Sequence, residues 1–370
     1  MAKRVLLMYI SEISGHHSAS LAVESAIKTL KPGVDTLNIN CFNYTTPIWE
    51  RIVNKTYMGV VHTKPEIWDY LYDNPRILKR SKRIREFIHR ANVKKLKVLF
   101  DDFRPDAAVC TQAYPCGMVA DYKKLFKVKL PLAGVLTDYS PHAYWIYDNV
   151  DAYIVPSEEI GRGIARNGIK EDRIKAFGIP IDPKFSRQHD RALLMKELGL
   201  DPSMPVVLIM GGGQGLGPIK RILPEFDAIK KDLQLLVVTG INKKLYSWIQ
   251  EKKRAFRKKV LVFDHIDYID RLMEVSSLVV TKPGGVTTAE ALVKGLPIMI
   301  INPLPGQEFR NTNFLLKEGV AVKIKSEREA AGKLEELLAD PGALEGMRKA
   351  AGIHARPDAA LKTAEYILGL

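Results

Sequence analysis

Residues 276–300 read SSLVVTKPGGVTTAEALVKGLPIMI. A compact apolar run, Ser277–Thr281, ends in a Lys-Pro-Gly-Gly turn. A helical stretch begins near Thr287, and a second apolar run follows at Pro297–Ile301. Strand, helix, strand in this order is the signature of a parallel βαβ unit. Thr287 and Glu290 are spaced as a capping box, [ST]-x-x-E, which predicts the helix start.

The same grammar extends in both directions. In the second half, Val206–Met210, Leu233–Thr239, Lys259–Phe263 and Val320–Ile324 are further strand candidates separated by helical stretches. In the first half, Arg4–Ile10, Val34–Asn40, Asp106–Cys110, Pro131–Thr137 and Asp151–Pro156 read as strands. Ser18–Leu30 reads as a helix, with apolar residues at Leu21, Ala22, Ala26, Ile27 and Leu30. Gly178–Asp190, with two prolines and little periodicity, reads as a linker. The expectation is an α/β chain of two doubly wound domains, residues 1–180 and 181–370. At 370 residues the length agrees, since domains average about 150 residues. The segment from about Tyr44 to Lys97 reads as helices with no strand, broken by Pro65 and Pro75. Such an insertion serves equally well as a lid, an acceptor surface or extra packing.

Composition narrows the class. Charged residues are 26% and hydrophobic residues 46%, which excludes a disordered or fibrous chain. Three cysteines, Cys41, Cys110 and Cys116, with no CxxC, argue against a zinc site and for a reduced compartment. The N-terminal apolar run is too short for a signal peptide, and no run is long enough to span a bilayer. The net charge is +14. Residues 76–129 hold 15 basic against 5 acidic residues, so much of the excess is local. A localised basic segment fits an anionic membrane surface or phosphates, or is simply a solvated face. No nucleic-acid recognition motif accompanies it, so no nucleic acid is expected as a partner.

Five motifs carry chemistry. MGGGQGLGP, residues 210–218, holds five glycines in seven residues after a strand, a backbone cradle for phosphate oxygens or merely a flexible turn. Its spacing matches neither the P-loop nor the dinucleotide fingerprint. The KPGG turn opens a second helix N-terminus toward phosphate, with Glu290 in reach of ribose hydroxyls. NPLPGQEFRN, residues 302–311, clusters Gln307, Glu308 and Asn311, an amide and carboxylate set suited to a sugar diol. SEISGHHSAS, residues 11–20, puts His16 and His17 after the first strand, where a histidine is well placed as a general base. Finally, LTDYSPHAYWIY, residues 136–147, puts Asp138 at a strand's carboxyl end. Asp138 there is a candidate to orient a histidine or an acceptor. His142, Tyr144 and Trp145 either line an apolar acceptor pocket or pack in the core.

In this order and spacing the motifs resemble the monogalactosyldiacylglycerol synthase and processive diacylglycerol glucosyltransferase group. More distantly they are similar to the peptidoglycan N-acetylglucosaminyltransferase. The resemblance runs from Lys3 to about residue 350 and is carried most by TKPGGVTTAEAL and PLPGQEFRN. It implies a GT-B fold, two Rossmann-like doubly wound domains facing a cleft, with a last helix packing back on the N-terminal domain. It implies a UDP-sugar co-substrate, no cofactor and no metal. Gly213, Gln214, Gly215, Gly285, Thr287 and Thr288 would meet the diphosphate, the backbone near Ile266 the uracil, and Glu290 the ribose. Gln307, Glu308 and Asn311 would hold the sugar. His16 or its neighbour His17 would be the base, with Asp138 second, and His17, His142 and Trp145 would face the acceptor.

The expected activity is inverting transfer of a hexose to a lipid, first of all diacylglycerol, by a cytoplasmic enzyme peripherally attached to the membrane. A UDP-N-acetylglucosamine-dependent transferase to another lipid carrier, a nonhydrolysing UDP-N-acetylglucosamine 2-epimerase and a non-catalytic lipid or nucleotide binder are the alternatives.

Overall fold

Alternation of apolar residues along the first strand decides how the first unit is layered. In β1 (Arg4–Tyr9), Leu6 and Met8 point to one face and Val5 and Leu7 to the other. All four are fully buried, so helices must cover both faces. On one side the helix at residues 92–103 and the helix Ala113–Phe126 do so; on the other, the helices Gly15–Leu30 and Ala359–Gly369. The computed structural model describes residues 3–45, 92–140 and 143–370.

Among the described residues the chain forms two six-stranded parallel sheets. In the first, β1 lies between β2 (Asp35–Asn40) and β3 (Ala107–Cys110), followed by β4 (Leu132–Val135), β5 (Ala152–Ile154) and β6 (Ile174–Lys175). The second comprises β7 (Val206–Met210), β8 (Gln234–Val238), β9 (Lys259–Phe263), β10 (Leu278–Thr281), β11 (Ile298–Ile300) and β12 (Ala321–Lys323). Its order is β12-β11-β10-β7-β8-β9. Both sheets are doubly wound. The direction of winding reverses between β1 and β3 in the first and between β7 and β10 in the second. At such switch points the loops diverge and open a crevice at the carboxyl ends of the strands.

Every expected strand forms, most of them trimmed at the ends. β6 was not expected, because two residues carry no periodicity to read. Two helix starts are corrected. The first helix begins at Gly15, not Ser18: Ser14 is extended, and its side chain accepts from the His17 N–H. Such a cap stabilises a helix by about 1 kcal/mol, and it acts before the apolar spacing becomes visible. The helix after β10 begins at Gly285, not near Thr287. Its cap residue is Gly284, with no side-chain cap, so the Thr287–Glu290 capping box does not form.

Contacts divide the chain into two compact units. One holds Met1–Pro183, Pro305–Gln307 and Asp358–Leu370; the other holds Lys184–Leu304 and Glu308–Pro357. The division after Pro183 falls inside Gly178–Asp190. The returning helix Ala359–Gly369 buries Ala360, Ala364 and Ile367 against the Val5, Leu7 and Val23 face. Lys3 Nζ closes its end, donating to the carbonyls of Ile367 (3.0 Å) and Leu368 (2.9 Å). Most of the Tyr44–Lys97 segment, which the sequence reads as helices, lies outside the described residues, including residues 76–91 of the basic segment, as does His142.

Candidate active site

In the first unit, three strand ends converge on one imidazole. His16 follows β1, Thr111 follows β3 and Thr137 follows β4. Met8 is level with Cys110, and Cys110 with Gly134, so the three loops leave the sheet at one height. His16 Nδ1 lies 3.0 Å from the Thr111 carbonyl and 2.9 Å from Thr137 Oγ1. A carbonyl oxygen only accepts, so Nδ1 carries the proton, and Thr137 Oγ1 accepts its second branch. The Thr111 hydroxyl donates back to the His16 carbonyl at 2.8 Å. The neutral ring therefore keeps its lone pair on Nε2. Burial pushes the His16 pKa below the ordinary histidine value; the Asp138 charge and the Thr111 carbonyl pull it partly back. Ring orientation, tautomer and pKa direction together favour a neutral imidazole with its lone pair on Nε2.

His17 is held differently. Its ring stacks on Tyr9 at 4.1 Å between centroids, and Nδ1 lies 2.7 Å from the Glu12 carbonyl. Glu12 in turn accepts from the Tyr9 hydroxyl and from Asn40 Nδ2 at 3.1 Å. Of the two histidines, His16 is the one set among the ends of β3 and β4.

In the second unit the two glycine-rich motifs flank the switch point. Met210 pairs with Thr281, so the loops starting at Gly211 and Lys282 leave neighbouring strands at the same level. The glycines answer a packing demand. A Cβ on Gly211 would meet the Leu216 carbonyl oxygen at 2.0 Å, and one on Gly215 would meet that of Thr239 at 1.9 Å. Ile241 N–H donates to the Gly213 carbonyl at 3.0 Å, and Asn242 Nδ2 to that of Gly215 at 3.1 Å. The loop is thereby pinned to the turn after β8, while Gly213 and Gln214 remain exposed at its tip.

Across the switch point, the helix Gly285–Val293 starts without a side-chain cap. The amides of Gly285, Val286 and Thr287 thus form an uncapped, electropositive end equivalent to about half a charge. Thr287 and Glu290 are half-buried beside it. Thr288 is corrected: it is fully buried, and its hydroxyl donates to the carbonyls of Gly284 and Gly285, leaving no group for a phosphate.

Glu308 and Asn311 tie two loops together. Lys282, only 8% exposed, pairs with Glu308 at 2.9 Å, and the other Glu308 oxygen accepts from the Leu304 N–H at 2.7 Å. Buried Asn311 donates to the Pro283 carbonyl at 3.0 Å. The KPGG turn and the loop after β11 are therefore one construction. Glu308→Gln leaves the Lys282 ammonium without its counter-charge. We expect it to lower stability by about 2–3 kcal/mol, with Lys282→Met/Glu308→Gln recovering part of the loss in a urea-unfolding cycle. Additive losses would mean the pair is not coupled.

Ile266 lies in the loop after β9, the edge strand, two strands away from β7. Gln307 is half-buried at the first turn of the helix Gln307–Lys317. Trp145 is corrected to a core residue: it is 4% exposed and packs with Tyr153, Cys116 and Leu132. Sequence reading missed Thr111, Thr137 and Lys282. The usable signal was position, since each stands one or two residues after a strand of the two switch points or one beside them.

The fold agrees with what the chain matches. Residues 16–181 match the monogalactosyldiacylglycerol (MGDG) synthase family, and residues 206–361 match the glycosyltransferase family 28 C-terminal domain. The chain resembles this group of glycosyltransferases through both halves, and is a UDP-sugar-dependent hexosyltransferase of the GT-B fold. Among curated relatives, the processive diacylglycerol beta-glucosyltransferase of Bacillus mycoides is 28% identical, covering 99% of this chain and 93% of that protein. The enzyme of the same description from Bacillus subtilis is 27% identical, covering 94% and 90%. Among solved structures, Acinetobacter baumannii MurG superposes with a TM-score of 0.66 at 15% identity, covering all of both chains. A UDP-N-acetylglucosamine 2-epimerase from Neisseria meningitidis, bound to UDP-N-acetylglucosamine, gives 0.62 at 13% identity, covering 99% of this chain and all of that one. The fold is thus common to transferases and epimerases, and the sequence relatives are the transferases.

Proposed function

We propose that the enzyme transfers glucose from UDP-glucose to diacylglycerol with inversion, at an anionic membrane surface. The observation that carries the mechanism is the clamp on His16, which leaves Nε2 as a base. Nε2 takes the proton of the lipid hydroxyl as its oxygen bonds to the anomeric carbon. The bond from that carbon to the diphosphate breaks, and UDP leaves with the electron pair. Charge growing on the diphosphate meets the uncapped amides of Gly285–Thr287 and the exposed loop tip at Gly213–Gln214. Fixed dipoles of this kind support a reaction that needs no bound divalent metal. Glu290 is proposed to meet the ribose, Gln307 the sugar, and the Lys282–Glu308 and Asn311 ties to hold their loops in place. The relatives' described acceptor and sugar support diacylglycerol and glucose.

The test is UDP release from UDP-glucose, UDP-galactose and UDP-N-acetylglucosamine, with and without diacylglycerol, with a chelator in a parallel arm. We expect release from UDP-glucose that requires diacylglycerol and survives chelation. Conversion of UDP-N-acetylglucosamine to its epimer without any acceptor would replace this reading with the epimerase. Loss of activity on chelation would overturn the metal-free mechanism alone.

A further inference from the structure

Residues 243–259, KKLYSWIQEKKRAFRKK, hold eight basic residues and one acid, Glu251, on the second unit. They form the helix Lys243–Lys252, its following turn and the start of β9. Some of these charges are satisfied within the fold. Arg257 donates to the Asp227 carbonyl at 2.8 Å, Lys258 to the Lys231 carbonyl at 2.8 Å, and Lys259 reaches the Gly199 carbonyl. Among the described residues, Lys243, Lys244, Lys252, Lys253 and Arg254 have no acidic partner within ion-pair distance.

At the start of this helix the chain makes an open cavity of about 440 Å³, lined by Lys220, Lys243, Lys244, Ser247, Trp248 and Glu251. Lys220 reaches over from the neighbouring helix Ile219–Ala228, its ammonium 5.4 Å from the Trp248 ring centre. Trp248 is half-buried while the lysines around it are exposed. Three ammonium groups, with no acidic partner within ion-pair distance among the described residues, thus surround one amphipathic ring.

We propose that this patch is a docking site for the phosphate headgroups of an anionic bilayer, a surface of the second unit separate from the basic segment of the first. The proposal rests on the lipid-acceptor reading above. Charge complementarity identifies the occupant. All three cations lining the cavity are lysines, compact point charges that meet phosphates without the bidentate geometry used to read bases. The indole ring packs against the core of the unit and also lines the open cavity, an amphipathic placement that suits the headgroup level of a bilayer. The ring face that a nucleic-acid base would stack on is covered by Lys220. Each lysine near such a surface strengthens binding about fivefold, so three together contribute about a hundredfold.

The experiment compares the full chain with Lys220→Ser/Lys243→Ser/Lys244→Ser and with a control of equal charge change, Lys230→Ser/Lys325→Ser/Lys349→Ser. Binding is measured by co-sedimentation with phosphatidylcholine vesicles with and without about 30 mol % phosphatidylglycerol at low salt. The patch variant should lose about a hundredfold in affinity for the anionic vesicles, with the control losing far less. Its sugar transfer to detergent-dispersed diacylglycerol should stay unchanged. Equal losses in both triple variants would make bulk charge the cause and overturn the patch. So would displacement of the wild type from vesicles by inorganic phosphate at constant ionic strength, or patch-dependent binding of RNA with vesicle binding intact. Wild type that transfers sugar to dispersed lipid but ignores anionic vesicles would overturn the docking site and leave the transferase reading standing. Failure of both would remove the reading on which the patch rests.

Discussion

His16→Ala lowers turnover by about a hundred- to ten-thousandfold, the range a single positioned base contributes. UDP affinity and the melting temperature remain near wild type, because the proposed nucleotide contacts belong to the second unit. The clamp gives this expectation more content than simple loss. With Nδ1–H fixed on the Thr111 carbonyl and Thr137 Oγ1, Nε2 is the atom that must be unprotonated. Since burial lowers the His16 pKa, kcat/KM stays level as the pH falls through the ordinary histidine range and declines only below it. Asp138 raises that pKa, so Asp138→Asn moves the acid limb still further down. A limb that moved up, or an alanine variant with full activity, would remove His16 from the reaction. Thr137→Val, which deletes one acceptor but keeps the Thr111 carbonyl, should reduce turnover much less than His16→Ala.

The second large effect is on folding. Gly215 has φ of +60°, and an added Cβ falls 1.9 Å from the Thr239 oxygen and 2.9 Å from Asn242 Cβ. The nearest obstacle is backbone at the end of β8, so it cannot swing aside as a side chain would. Gly215→Ala must move either the loop or that turn, breaking the Asn242–Gly215 and Ile241–Gly213 hydrogen bonds. A loss of about 3 kcal/mol or more is expected in urea unfolding. Gly212→Ala is the internal comparison. It shares the left-handed conformation, φ +67°, but meets nothing within 4 Å, so only the strain of about 1–2 kcal/mol applies. Equal losses for the two would mean that the loop is not pinned to the turn after β8.

The sequence made the sheets legible because buried parallel strands are short apolar runs. Val206–Met210 and Lys259–Phe263 were bounded to the residue. Helix starts were less legible. A cap such as Ser14 or Gly284 acts through one side chain or its absence, which apolar spacing does not register. The loops bearing the site stood out through glycine, proline and histidine. The residues that hold them did not. Thr111, Thr137 and Lys282 are ordinary residue types, and their importance arises from neighbours that are distant in sequence: Thr111 and Thr137 stand 95 and 121 positions from His16. Trp145 shows the opposite error, a residue type associated with binding that fills the core instead.

The helix Ala359–Gly369 has a further consequence for how the polypeptide matures. On a ribosome, the whole of the second unit emerges before the segment that completes the first. Until then the hydrophobic face formed by Val5, Leu7 and Val23 lacks its cover of Ala360, Ala364 and Ile367. The first unit is therefore begun first and finished last. During synthesis it is the nascent chain's standing liability for aggregation, and the natural client surface for a chaperone.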